Sequence, residues 1–293
     1  LLMTKIYSKL IGILIIFILT INVLPISTNV FSLEKAVPEN AYFKPLEKEV
    51  YNQYYFWFKN LSGKSSKLKA KIVEKNFPGG PNDKNWFTQF CYSNICFLDE
   101  GVSPKVLKPG ERETMHVSIR PFSGVAIGEK ACVVLEVWPE VNPKLKERIE
   151  FYGITVDKKL VTLIIGNKNA KVNDKNIPID VAPFIDKASN RTLVPLRFIG
   201  EALGASIDWD NKERKAIYKL GDETLYFWVS KKEAEIIIGK NYSKKISLDV
   251  APIIVNSRTF VPVRYVSELL GAKVDWDGKT QTITILFPQP SEE

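Results

Sequence analysis

Few residues of this chain could do chemistry, and their spacing is restrictive. There is one histidine, His116, and there are three cysteines, Cys91, Cys96 and Cys132. That count excludes multi-histidine metal centres and zinc sites built from four cysteines. The three cysteines and His116 match a zinc ligand set in number only, because no Cys-x-x-Cys pair is present. A Ser-His-Asp site would have to use His116. In Thr114-Met115-His116-Val117-Ser118-Ile119-Arg120 the apolar residues alternate, which predicts a strand with His116 on its solvent face. No partner cluster lies near it in sequence, so it is assigned no catalytic or metal role, and no cofactor is expected.

Cys91 and Cys96 bracket Tyr-Ser-Asn-Ile, with aromatic residues outside and turn formers inside. A disulfide across this tight loop is expected; two reduced thiols are the alternative. Cys132 sits in ACVVLEVW, a strand-like run, and reads as a small buried apolar residue. The densest aromatic run holds Tyr51, Tyr54, Tyr55, Phe56, Trp57 and Phe58. Exposed rings there, with Trp57 and Trp86 as the candidate ligand-binding residues, would make a carbohydrate-binding face. Alternation, however, commits about half of such a run to a core.

The strongest pattern is internal repetition. Asp180-Val181-Ala182-Pro183 returns as DVAP at 249–252, and RTLVPLRFIGEALGASIDWD (191–210) returns as RTFVPVRYVSELLGAKVDWD (258–277), with 12 of 20 positions identical. Duplication of a small unit explains this. Within each copy, two strand-like runs precede the DVAP turn. A helix is expected to begin near Pro195 or Pro262 and to stop at Gly204 or Gly271. Leu196, Ile199 and Leu203 recur at helical spacing, and two more strands follow, giving a ββαββ unit.

Arg197 and Arg264 fall in the first helical turn, where the macrodipole disfavours a cation. Glu201 and Glu268, four residues on, can pair with them in the weaker order. A buried carboxylate such as Asp180 or Asp249 is the preferred acceptor, with an anionic ligand as the alternative. The segments around Trp209 and Trp276, Asp208-Trp209-Asp210 and Asp275-Trp276-Asp277, could offer oxygens to calcium. They also read as hairpin turns with Trp packed inward, and a calcium site wants about six to eight oxygens. The motif residues Arg197, Glu201, Trp209, Arg264, Glu268 and Trp276 are therefore expected to be structural.

This repeated string resembles the copper amine oxidase N-terminal-like domain, the stalk of some amine oxidases and a module widespread in secreted proteins of Gram-positive bacteria. The resemblance covers residues about 160 to 287 and implies a domain separate from any catalytic one. The oxidases need three histidine copper ligands and a tyrosine-derived quinone. One histidine and no Asn-Tyr-Asp/Glu stretch leave the stalk without the enzyme.

Upstream, about seven short strand patterns separated by turn clusters predict an all-β sandwich over 41–156. Its layout resembles the immunoglobulin-like modules of bacterial surface proteins: Asn60-Leu61-Ser62-Gly63, then Trp86, the Cys91 to Cys96 loop, and Leu107-Lys108-Pro109-Gly110-Glu111. Such modules serve as spacers or adhesion units.

Residues 1–32 begin with Lys5 and Lys9, continue into an apolar run from Leu10 to Ile21, and end in small and polar residues. This predicts a signal peptide and an extracellular or cell-surface location. The run is short for a membrane span of about 20 residues, so a membrane link is expected only if the segment stays uncleaved. Losing the two lysines would lower the formal net charge from +8 to +6. Scattered lysines suit anionic polymers, and no basic helix or dense run points to nucleic acid.

The chain thus reads as a signal peptide (1–32), an immunoglobulin-like β-sandwich (41–156) and an α+β domain of two ββαββ repeats (158–287; about 160–220 and 221–287). A non-catalytic surface protein is expected, engaging a wall polymer, a polysaccharide or another surface protein. A dedicated carbohydrate-binding protein and a carboxylate-based glycan-active enzyme are the alternatives.

Overall fold

The computed structural model describes residues 33–35, 41–61 and 63–290. The expected signal segment lies outside these, as do Ser62 and the side chain of Glu268. The described chain is mostly β-sheet, with two short helices.

Alternating apolar residues build the first domain. In the strand Arg112–Pro121, Met115, Val117 and Ile119 are fully buried. Asn52–Asn60 likewise turns Tyr54, Phe56 and Phe58 inward. Two five-stranded sheets result. One orders Leu33–Lys35, Asn52–Asn60, Arg112–Pro121, Trp86–Tyr92 and Ile95–Phe97; the other orders Ala41–Leu46, Glu147–Thr155, Lys130–Pro139, Leu68–Asn76 and Glu100–Val102. Their facing side chains share one core, in which Phe56 and Phe58 meet Leu135, Val137 and Phe151. Two buried tyrosine hydroxyls are satisfied across the gap: Tyr54 Oη donates to the Tyr152 carbonyl at 2.7 Å and Tyr92 Oη to that of Leu68 at 3.1 Å. Ten strands stand where about seven were expected, because three short or edge strands carry little periodicity. One of them, Ala41–Leu46, pairs in parallel with Glu147–Thr155 over a sequence distance no local pattern can signal.

The second domain departs from a ββαββ plan. Asn169–Val172 and Lys175–Pro178 form a hairpin rather than one strand. The DVAP segments lead into hairpins of their own, Phe184–Asp186 with Arg191–Pro195 and Ile253–Val255 with Arg258–Pro262. The two RT(L/F)VP strands then pair with each other, Leu193 opposite Pro262, Val194 opposite Val261 and Pro195 opposite Phe260. The outer strands are shared across the domain. Ser206–Asp210 and Lys215–Leu220 continue into Glu223–Trp228, Glu233–Ile238 and Tyr242–Ser247. Lys273–Asp277 and Thr282–Phe287 instead return to Lys159–Ile164, so the start and end of the domain close one sheet.

The first helix, α1 (Leu196–Ala202), follows Pro195 directly and buries Leu196 and Ile199, with Leu203 buried at its C-cap. Gly204, at φ +90, ends it in a conformation that side chains with a Cβ rarely adopt. The second helix is α2 (Val263–Leu270). Each helix packs on strands of both strings: α1 on Arg258–Pro262 and Ser206–Asp210, α2 on Lys273–Asp277, Arg191–Pro195 and Arg258–Pro262. One core runs through the whole domain and takes Phe43 and Ile154 of the sandwich at its edge.

Candidate functional site

The first domain uses up its expected ligand-binding rings. Trp86 is 6% exposed and stacked on Phe77, with ring centroids 5.4 Å apart and planes 3° apart. It is a core residue, a correction to its reading as a sugar platform. Trp57 does lie on the outer face, but the Arg112 guanidinium covers its ring at 4.1 Å. The exposed rings there are Tyr51 and Tyr55, and Arg120 sits over Tyr51 at 5.0 Å.

Cys91 and Cys96 are bonded, as expected, across directly paired positions of two adjacent strands. His116 is next in the same row, opposite Cys91, and its side chain is on the expected outward face. It is nonetheless only 9% exposed, because Gln53, Tyr55 and the bridge cover it. Burial lowers its pKa. The three ligand-type atoms of Cys91, Cys96 and His116 lie within 4.8 Å of one another, but both sulfurs are held in the disulfide. Cys132 is half-buried, and burial pushes its thiol up to about 11.

In the second domain the expected arginine partners are exchanged. Asp180 and Asp249 do accept arginines, but from the RT strands rather than from the helices. Arg191 Nε donates to Asp249 Oδ2 at 2.7 Å, and Arg258 Nε donates to Asp180 Oδ2 at 2.9 Å. Each pair joins the two repeated strings. Arg191 holds the Asp249 carboxyl below its usual range, aided by Tyr265, whose hydroxyl donates to Asp249 Oδ1 at 3.0 Å. Phe198 stands where Tyr265 would be in the first string, and Asp180 has no such hydroxyl.

Arg197 is thereby left exposed, with no hydrogen bond or ion pair among the described residues. It lines a cleft of about 420 Å³ with Trp209, Asp208, Asn211, Ile254 and Arg258. A second cleft, of about 130 Å³, shares Arg197 and Arg258 and adds Asp180, Phe198 and Glu201. Trp209 is half-buried and fixed at its edge, where Nε1 donates to Asn211 Oδ1 at 2.6 Å. Neither ring nor cation stacks on its face among the described residues. Its counterpart Trp276 is 44% exposed and has Gly278 where Asn211 stands. The Asp-Trp-Asp segments form strand ends and turns: Asp210 Oδ1 accepts the backbone amides of Lys212 and Glu213, and Asp277 those of the matching turn. These carboxylates are committed to local turn bonds rather than gathered around a common point.

Neither Arg197 nor Trp209 could have been singled out by spacing alone, since equivalent residues occur in both strings. The discriminating sign was Asn211 against Gly278, two residues after each tryptophan.

Among the described residues no helix is long and apolar enough to cross a membrane. Comparison with known proteins adds a match to one domain family and one relative. The model of the copper amine oxidase N-terminal domain matches residues 171–285. A protein named "Protease inhibitor" from Brevibacillus choshinensis is 32% identical over 108 residues, 37% of this chain, which spans about a third (32%) of that relative's length. Solved structures give only loose likenesses. The N-terminal domain of PorA aligns with 42% of this chain and 97% of its own at TM-score 0.29 and 13% identity. The periplasmic chaperone SfaE aligns with 55% and 90% at TM-score 0.29 and 10% identity. The CsuC–CsuE complex of Acinetobacter baumannii aligns with 76% and 93% at 0.28 and 12%. Scores this low do not establish a shared fold. Neither the matched domain nor the named relative indicates an enzymatic activity, and residues 171–285 are similar to the copper amine oxidase N-terminal domain.

Proposed function

We propose that this chain is a non-catalytic exported protein of the cell surface, built to hold a wall polymer, a glycan or another surface protein. In this reading the duplicated unit, about 160–220 and 221–287, is the binding part. The immunoglobulin-like sandwich is the spacer that carries it away from the surface. The observation that carries the reading is the cleft at Arg197: an uncommitted guanidinium and the half-buried Trp209 side chain border about 420 Å³, a volume within the ~300–1,000 Å³ of ligand clefts. The sandwich, by contrast, has buried or covered the tryptophans that would serve a ligand.

Sedimentation of the exported chain with insoluble walls and polysaccharides is the direct test. Recovery in the pellet with at least one of them, or stoichiometric capture of a surface protein, supports the role. A chain left in the supernatant by every polymer and by surface extracts removes it. Sequencing the amino terminus of the exported form should place its start near residue 33.

A further inference from the structure

We infer that the Arg197–Trp209 cleft binds an uncharged polysaccharide strand, one pyranose ring lying on the indole of Trp209 and its neighbour reaching Arg197. The inference rests on the binding role proposed above and assigns that role a ligand class.

The side chains of the cleft suggest the chemistry. A sugar ring offers an apolar face of C–H groups and a rim of hydroxyls, each both donor and acceptor. Trp209 supplies the flat apolar surface. Planar groups with paired hydrogen-bonding atoms suit neighbouring hydroxyls: the Arg197 fork donates, Asp208 accepts, and Asn211 does both. Charge decides between neutral and acidic polymers. Arg197 and Arg258 are the cations of the two connected clefts, and Asp180, Asp208 and Glu201 are the anions. Arg258 is already bound to Asp180. With no positive excess, a polymer carrying a carboxylate on every ring would meet as much repulsion as attraction. The two clefts share Arg197 and Arg258, so the binding surface extends beyond one ring, which suits a chain better than a monosaccharide.

The pair Trp209 and Asn211 is particular to one copy, since the matching positions of the other hold Trp276 and Gly278. The bond from Trp209 Nε1 to Asn211 sets the indole in place before a ligand arrives. Trp276 lacks that bond because Gly278 has no side chain.

The test is calorimetric titration of the full exported chain with cellohexaose, chitohexaose and hexagalacturonate. At least one neutral hexasaccharide should bind more tightly than the acidic one. Trp209→Ala and Arg197→Ala should each weaken it about tenfold or more, and Trp276→Ala should leave it unchanged. Asn211→Gly, whose exposed position spares the fold, should weaken binding several-fold with an unchanged melting temperature. Binding of hexagalacturonate alone, no saccharide binding, or neutral binding indifferent to Trp209→Ala and Arg197→Ala overturns the inference. If Trp209→Ala still sediments with walls while no hexasaccharide binds, the binding role stands and the ligand class falls. Saccharide binding with no recovery on walls or polymers would separate the two the other way.

Discussion

Arg191 and Asp249 join the two repeated strings through a 2.7 Å bond across 58 residues of chain. Arg258 and Asp180 form the reciprocal contact across 78 residues. Each string therefore supplies the arginine for the other's DVAP carboxylate, beside the strand pair centred on Val194 and Val261. The contacts fix how the two halves sit together, which neither half can encode alone.

Asp249→Asn should cost about 0.5–1 kcal/mol at pH 7, since both side chains are partly exposed and screened by water. The sign follows from the lowered Asp249 pKa. The stabilisation is complete above the unfolded value of about 3.9 and is lost as pH falls through the lower folded value. Urea unfolding of both proteins should thus differ at pH 7 and converge as pH falls through the lowered folded value. An undiminished gap at low pH would refute the charge as its source.

Tyr265→Phe copies the first string into the second and removes the hydroxyl that donates to Asp249 and accepts its backbone amide. A loss of about 1 kcal/mol is expected, read as a shift in the urea midpoint with an unchanged slope. A neutral result would mean that water replaces the hydroxyl without cost.

Glu223 should make stability fall as pH rises. It is buried, one carboxylate oxygen has no partner, and desolvation raises its pKa well above the usual value. Between the unfolded value of about 4.3 and the raised folded one, the folded state holds the extra proton. Stability then declines by at most about 1.4 kcal/mol per pH unit. Glu223→Gln should flatten this decline and overtake the parent at alkaline pH. Parallel pH profiles for the two would rule the mechanism out.

Replacing Trp86 and Trp57 should separate core from surface. Trp86→Ala removes a buried ring stacked on Phe77 and should cost about 3–5 kcal/mol. Trp57→Ala loses mainly the Arg112 contact, about 0.5–1 kcal/mol. Equal costs would place Trp86 on the surface.

Gly221 tests the joint between the domains. It has φ +60, and an added Cβ would lie 3.0 Å from Ile154 and 3.1 Å from Phe43 of the sandwich. The Gly221 carbonyl and Asp222 also accept Lys130 Nζ. Gly221→Val should cost about 1–3 kcal/mol and speed proteolysis between the domains. Unaltered cleavage would show that the joint tolerates the added side chain.

Local features were legible in the sequence because their causes are local. Alternation set the inward face of Arg112–Pro121, helical spacing with Gly204 set α1, and turn formers between Cys91 and Cys96 set a loop the bridge could close. The repeated strings were plain as text. Their arrangement was not, because it depends on contacts between residues far apart in the chain. Edge strand Ala41–Leu46 finds its parallel partner more than a hundred residues on. The strands after α1 and α2 enter different sheets, each completed by the other part of the domain. Trp86 turned inward because Phe77 and the opposing sheet offered its ring a dry surface. The charged residues show the division most clearly. Composition supplied the arginines and the DVAP carboxylates, but only folding chose Arg191 and Arg258 as their partners. That choice left Arg197 at the cleft, because short-range periodicity places a side chain on a face while its partner is set by which distant segment packs there.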